Sequence, residues 1–507
     1  MRKFFKTVAV ITLFSVCEKF LGFLYRIFLS RSIGSEGIGL YQVALSVYAM
    51  LLTICSSGTP ITVSRLMTKY KSEKQEKKVQ QVISAGFSFT LMLSIPIVII
   101  VFSLHDFLGV FFADKRSIKI FLIVLPTLII NSLYAVMRGV FWGNKDFLPY
   151  SVLELLEEIC MIFIGVFLIL RANDIYTGAT YAGVAVAISY VFSFVLSITV
   201  FFLRKNRIVN PKPQLKPLIT SSAMVTAMRT ASSIAGSLVS ILLPLRLIAS
   251  GYTNREAMSL FGSASGQAMP LLFIPTTIIG SFTLVLIPEI SENFYNHNKL
   301  SLESNIDRAV KFTTMLSCLF IPVFIVSGEQ IGILVFDSYE CGKFLSASAF
   351  LMLFMGLSSV TTSILNSLGL ERQTLSVFGL STILMLLSVV FLPPLLGIYS
   401  LLVGYVFVYG LTTTLNLILI TRRCQIKTKY KKFLAFSIGF LIPTTLMGLM
   451  INKMILPILG NLFTIVIISI STASMILALY VGFNLIDASF VKLRKKDNKL
   501  KLKNSAI

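Results

Sequence analysis

The sequence predicts an all-α polytopic membrane protein. It would have about 14 transmembrane helices, as two six-helix lobes in a parallel-repeat arrangement plus two extra C-terminal helices. Three observations predict it. Apolar runs of about 20 residues, the length that crosses a hydrocarbon core as a helix, fill the chain from Thr7 to Ile486. The 507 residues are 55% hydrophobic and only 13% charged, with a mean hydropathy of +0.85. Basic residues gather in alternate loops between the apolar runs.

Between polar breaks the spans fall at 7–30, 40–63, 80–103, 118–142, 149–171, 179–203, 218–248, 258–288, 307–328, 343–366, 374–393, 396–421, 433–453 and 458–486. The first follows Arg2, Lys3 and Lys6. It outlasts a signal h-region, and no small-residue cleavage site follows, so it reads as a retained helix. Span 8 holds Pro270, Pro275 and Pro288. Proline removes a helical N–H and clashes with the preceding turn, so this span is expected to be kinked or broken. Gly262 and Gly266 in the same span are four apart, a spacing that permits close approach of two helices, here read as internal packing.

The basic loops orient the chain. Arg65, Lys69, Lys71, Lys74, Lys77 and Lys78 follow span 2. Arg204, Lys205, Arg207, Lys212 and Lys216 follow span 6, and Arg422, Arg423, Lys427, Lys429, Lys431 and Lys432 follow span 12. Loops after odd-numbered spans hold few, with Lys115 and Arg116 the main exception. The positive-inside rule then puts both termini in the cytoplasm. The segments are an N-terminal lobe at 1–203, a basic linker at 204–217 carrying Pro211, Pro213 and Pro217, a C-terminal lobe at 218–421, two further spans at 422–486, and a basic tail at 487–507.

Several function classes drop out. The net charge of +23 sits in short loops between apolar helices, whereas a nucleic-acid reader gathers its charge on one face of a soluble module. Cys17, Cys55, Cys160, Cys318, Cys341 and Cys424 are scattered without metal-ligand spacing. His105 and His297 form no metal site. No GxxxxGK[ST] loop is present, and neither a carboxylate pair nor a nucleophile with its base stands out in the loops. No enzyme site and no cofactor is expected.

Charges inside the spans are the informative feature, since each costs roughly 2.5–3.5 kcal/mol on insertion scales and normally faces a cavity or a partner. Span 1 carries Glu18, Lys19 and Arg26. Lys19 and Arg26 share a helix face two turns apart, and Glu18 points about 100° away from Lys19. Span 7 carries Arg229, about 11 residues in, or roughly 16 Å deep, with Arg246 near its other end. Arg138 lies near the end of span 4. Glu154, Glu157 and Glu158 in span 5 have helical spacing and read as charge-balancing groups. Arginine grips phosphate oxygens bidentately and lysine acts as a point charge, so the deep cations suit an anionic substrate. Snorkelling anchors and helix-fastening salt bridges are the competing structural reading.

The stretch Lys19-Phe20-Leu21-Gly22-Phe23-Leu24-Tyr25-Arg26, followed by Arg31-Ser32-Ile33-Gly34-Ser35-Glu36-Gly37-Ile38-Gly39-Leu40-Tyr41, resembles the opening of the stage V sporulation protein B family. These are polysaccharide-exporter-type flippases related to bacterial lipid II flippases. Further matches follow in order over about residues 1–420: Ser57-Gly58-Thr59-Pro60, Arg138-Gly139-Val140-Phe141-Trp142-Gly143, Ala268-Met269-Pro270-Leu271-Leu272-Phe273-Ile274-Pro275, Leu286-Ile287-Pro288-Glu289-Ile290-Ser291 and Leu365-Asn366-Ser367-Leu368-Gly369.

The resemblance implies two six-helix lobes around a central cavity. It implies movement of an undecaprenyl-pyrophosphate-linked sugar across the bacterial cytoplasmic membrane, in this branch a peptidoglycan precursor for spore cortex. By position Lys19, Arg26 and either Arg229 or Arg246 match the cations that lipid II flippases use in the first helix and the lobe facing it. With Arg138 these are the candidate pyrophosphate-binding residues, with Glu18, Glu157 and Glu158 as charge-balancing groups and Pro270 and Pro275 as the gating break. Two departures stand out. Lys19 and Arg26 are one residue further apart than the paired arginines of lipid II flippases. Relatives with a sodium site use acidic residues in spans 7 and 11, whereas 218–250 and 374–393 hold no Asp or Glu. The expected partners are the lipid-linked sugar and membrane lipid, with contact to cell-wall synthases and a monomeric state. The alternatives are a multidrug-type exporter of the same superfamily and a non-transporting scaffold for cell-wall synthesis.

Overall fold

The computed structural model describes residues 2–204, 206–296, 298–424 and 430–485. Lys205, His297, Lys427, Lys429 and the basic tail lie outside the described residues. All regular structure among the described residues is helical. In chain order the α-helices are α1 Arg2–Ser56, α2 Thr59–Ser72, α3 Glu76–Ser103, α4 Leu108–Phe111, α5 Lys115–Val124, α6 Thr127–Gly143 and α7 Phe147–Ile169. They continue as α8 Ile175–Leu203, α9 Lys212–Ala249, α10 Asn254–Phe261, α11 Met269–Tyr295, α12 Lys299–Phe336 and α13 Tyr339–Ser348. The last are α14 Leu351–Ser367, α15 Glu371–Phe391, α16 Pro393–Leu396, α17 Tyr399–Tyr405, α18 Thr412–Cys424 and α19 Tyr430–Gly482. Nine helices among the described residues are long and apolar enough to cross a membrane, or up to 11 if each of two bent pairs is one span. The chain is a multi-pass membrane protein.

Contacts divide it into two compact units. The first is Met1–Gln267 with Val335–Ser338 and Met385–Gly404. In it α1 runs through the residues expected to link spans 1 and 2, and its single break is at Gly34 (φ 65, ψ −179). Only glycine enters that region without a steric cost. The helix persists beyond Gly34 because Ile38, Leu40, Val43 and Ala44 are buried. It also packs closely on α10 and the stretch after it. A Cβ on Gly39 would lie 2.1 Å from Met258 O, one on Gly262 1.9 Å from Ser35 O, and one on Gly266 2.2 Å from Ile38 Cγ2. The glycine spacing in span 8 is thus an internal helix contact. Span 4 is bent by 47° between α5 and α6, where Pro126 stands. Asp174 caps α8, accepting from Tyr176 N at 3.1 Å and Thr177 N at 3.2 Å. Hydrogen bonds from the Thr177 hydroxyl and backbone, with one from Tyr176, hold its carboxyl below the usual value.

The second unit is Ala268–Leu334, Tyr339–Leu384 and Tyr405–Ile507. Its core joins Ile279 and Leu286 of α11, Ile306 of α12, Val360 and Ile364 of α14 and Ile420 of α18. Span 10 is bent by 58° between α13 and α14. The long α19 breaks at Gly460 (φ 70, ψ −179), nearly the conformation of Gly34. Its two halves are tied where Tyr480 OH donates to Ser437 Oγ at 2.8 Å and the Tyr480 ring stacks on Phe433 at 5.2 Å.

Span 8 differs from its expected form. Its irregular stretch is the π-helical Gly262–Ala268, ahead of the prolines that were expected to cause the break. Pro270 takes an opening position of α11, where a missing N–H costs nothing. Pro275 is buried within α11. A second π-helical stretch, Val406–Leu411, interrupts span 12, and no proline announces it.

Candidate anion-binding cavity

A cavity of about 190 Å³ lies inside the first unit, lined among others by Thr53, Ser57, Asn131, Arg138, Trp142 and Arg229. Asn131, Ala135, Arg138 and Trp142 share one face of α6 because they recur every three or four residues. Glycines set the walls. A Cβ on Gly139 would lie 2.7 Å from Pro60 O, and one on Gly58 the same distance from Ser222 O. α2 therefore meets α6, and the α1–α2 turn meets α9, at backbone distance.

Arg138 is the anchored cation. Its Nη2 lies 3.2 Å from Glu154 Oε1, and Tyr134 OH donates to the same oxygen at 2.9 Å. The guanidinium sits 5.4 Å from the Tyr134 ring centroid and 5.9 Å from that of Tyr150, near enough for cation–π attraction. Its Nε is buried without a hydrogen-bond partner. Arg229 is exposed on α9 and makes no ion pair among the described residues. Two guanidinium groups in a cavity of hydroxyls and amides offer anionic oxygens several donors at once.

The other sequence-predicted cations lie elsewhere. Arg26 Nη1 donates to Gly266 O at 3.0 Å, a carbonyl of the π-helical stretch. Arg246 Nε donates to Val390 O at 2.7 Å, near the end of α15. Lys19 is exposed on α1. Neither Lys19 nor the half-buried Glu18, Glu157 and Glu158 form an ion pair among the described residues. The structure thus brings Arg138 and Arg229 to one cavity and spends Arg26 and Arg246 on backbone carbonyls.

Sequence reasoning left two arrangements unread. Glu154, grouped with its neighbours as a glutamate face, is the specific partner of Arg138. Glu36, only 7% exposed, lies 2.8 Å from Arg116 Nη2 and 2.9 Å from Arg255 Nε. Arg116 also pairs with Asp114 at 2.7 Å, so this exception to the loop charge rule is locally neutralised. Its signal was Glu36, the one acidic residue in the glycine-rich segment Arg31-Ser32-Ile33-Gly34-Ser35-Glu36-Gly37-Ile38-Gly39.

Comparison with known proteins agrees with this architecture. Stage V sporulation protein B of Bacillus subtilis (strain 168) is 23% identical over 454 residues, covering 86% of this chain and 87% of that protein. Lipid II flippase MurJ of the same organism is 25% identical over 351 residues, 64% of each chain. Among solved structures, lipid II flippase MurJ in an inward closed conformation superposes with a TM-score of 0.72 at 14% identity, over 94% of this chain and 100% of that one. An inward-facing multidrug resistance MATE family transporter of the MOP superfamily gives 0.67 at 15% identity, over 80% and 94%. These structures share the fold. The relatives whose names state an activity are flippases and transporters. The model of the polysaccharide biosynthesis protein family matches residues 4–294, and the chain belongs to that family.

Proposed function

We propose that the protein is a flippase that moves an undecaprenyl-pyrophosphate-linked sugar, a lipid II-type peptidoglycan precursor, across the cytoplasmic membrane by alternating access. The observation that carries this is the pairing of Arg138 and Arg229 in one cavity of a membrane-spanning unit. Both guanidinium groups grip the pyrophosphate, the sugar crosses in water, and the prenyl tail stays in lipid. Lys19 stands as a further phosphate contact, and Pro270 and Pro275 belong to the moving helix. A cation exporter would call for an acidic or aromatic pocket, and this one is basic.

Fourteen crossings fit the helices. The two longest membrane helices divide at Gly34 and Gly460, each bent pair serves as one span, and α7 has membrane length with three glutamates. An even number keeps both termini in the cytoplasm. Bent spans at the fourth and tenth positions support two six-span lobes in parallel repeat, followed by the two halves of α19. The role in spore cortex rests on the likeness to stage V sporulation protein B.

The test is translocation of a fluorescent lipid-linked muropeptide in proteoliposomes, wild type beside Arg229→Ala. The expected result is flipping by wild type and at least a tenfold loss in the variant. Equal flipping by the two would remove the cationic cavity from the mechanism.

A further inference from the structure

The carboxylates of α7 are unequally matched with cations. Leu156, Ile159, Phe163 and Phe167 mark its exposed apolar face, and the three glutamates point away from it. Glu154 holds Arg138. Glu157 and Glu158 hold no cation. Glu158 Oε1 rests against α1, only 2.8 Å from where a Cβ of Gly22 would stand, and Glu18 faces it one turn away. Glu157 faces Ser193 of α8. Ser193 is 1% exposed, and apart from the Glu157 carboxyl its hydroxyl has no hydrogen-bond partner. No group of acidic, histidine or cysteine side chains with metal-holding geometry occurs among the described residues. A proton is the cation that a lone carboxylate binds without further ligands.

We infer that Glu157 and Glu158 form a proton-binding site, and that the proton on Glu158 decides which partner Arg26 takes. With the proton bound, Arg26 is free to hold Gly266 O at 3.0 Å, as the structure has it, and steadies the π-helical stretch. With the proton released, the Glu158 carboxylate competes for the same guanidinium, because arginine pairs with a carboxylate by opposite charge and can do so bidentately, which a neutral carbonyl cannot match. Proton binding is thereby linked to the irregular segment of span 8. The site stands on its own geometry, and only its use as an energy source rests on the flippase reading.

The surrounding titratable groups are consistent with this role. Glu158 is faced by Glu18, Tyr25, Arg26 and Tyr41 of α1 and by Tyr190 of α8. Glu157 is faced by Tyr48 of α1, Tyr134 and Arg138 of α6 and Tyr190 of α8, beside Glu154 and Cys160 on its own helix. Arg138 is already held by Glu154, so Arg26 is the cation left to respond.

The experiment needs no substrate, so its failure is separate from failure of the flippase reading. The full chain is reconstituted in phosphatidylethanolamine–phosphatidylglycerol vesicles. Infrared difference spectra and hydrogen exchange are recorded across a pH series for wild type, Glu157→Gln and Glu158→Gln. The expected result is a protonated-carboxyl band at neutral pH that each variant diminishes. Corrected for the intrinsic rise of amide exchange with pH, exchange at 262–268 should rise with pH in wild type and be flat in Glu158→Gln, while corrected exchange in α19 stays unchanged and reports an intact fold. A wild type without the band, a band unchanged in both variants, or a band removed by sodium at fixed pH would each overturn the proton assignment. Identical pH dependence of 262–268 in wild type and Glu158→Gln would overturn the link to Arg26.

Discussion

The two compact units meet the same demand, polar atoms within a bilayer, with different chemistry. The first uses charges. Arg138 answers Glu154, Arg26 answers a π-helical carbonyl, and Glu157 and Glu158 stand without cations. The second relies mainly on neutral groups, with Lys311 and Asp307 of α12 paired one turn apart at 2.6 Å. Asn416, fully buried, donates to Thr361 Oγ1 at 3.3 Å and Thr362 Oγ1 at 3.0 Å, and Thr412 donates to Ser381 Oγ at 3.1 Å. Serine and threonine hydroxyls satisfy themselves on carbonyls of the preceding turn, as Thr361 does on Leu357 O at 2.7 Å. Neutral groups of this kind can be buried at little cost, whereas a membrane-depth charge is normally kept for a functional reason. On the proposed function, the chemistry of transport would belong to the first unit and helix fastening to the second.

The largest effect should come from breaking the charged pair. Glu154→Gln leaves Arg138 without its carboxylate and should cost about 2 kcal/mol of stability, seen as a lowered midpoint of thermal unfolding in detergent. Adding Arg138→Gln should recover most of that loss. If the double variant were no better than the single, Arg138 would not be depending on Glu154.

The glycine breaks test where the units ought to behave alike. Gly34 and Gly460 have nothing within 4 Å of an added Cβ, so alanine there meets only backbone strain, about 1–3 kcal/mol. Both Gly34→Ala and Gly460→Ala should destabilise by that amount in the same assay. A large difference between them would mean that one break also carries a contact unique to its unit.

The smallest effect should be Asn416→Leu. Thr361 keeps its backbone acceptor and only weak neutral bonds are lost, so the change should stay within about 1 kcal/mol. A cost matching that of Glu154→Gln would erase the contrast between charged and neutral units.

Much of the fold was legible because a bilayer constrains sequence strongly. A segment that crosses it must satisfy its own backbone, so length and apolarity alone mark helices. The deep cations were legible for the same reason. Their fates were not. Nothing in the spacing of Arg26 or Arg246 distinguishes a phosphate ligand from a donor to a backbone carbonyl. For Arg26 that depends on a carbonyl of the π-helical stretch, 240 residues away in sequence. The irregular stretch of span 8 ends just before Pro270, and close glycine contacts with α1 coincide with it.

Local chemistry along the chain determined that this is a multi-pass helical membrane protein with membrane-depth charges in its N-terminal half, because hydropathy and charge placement are properties of each segment. The tertiary structure alone decided that Arg138 and Arg229 share a cavity, that Glu154 rather than its neighbours holds Arg138, and that Glu157 and Glu158 are left over. Those outcomes depend on which helices approach at backbone distance, and such approach is a property of pairs of segments that no single run of residues contains.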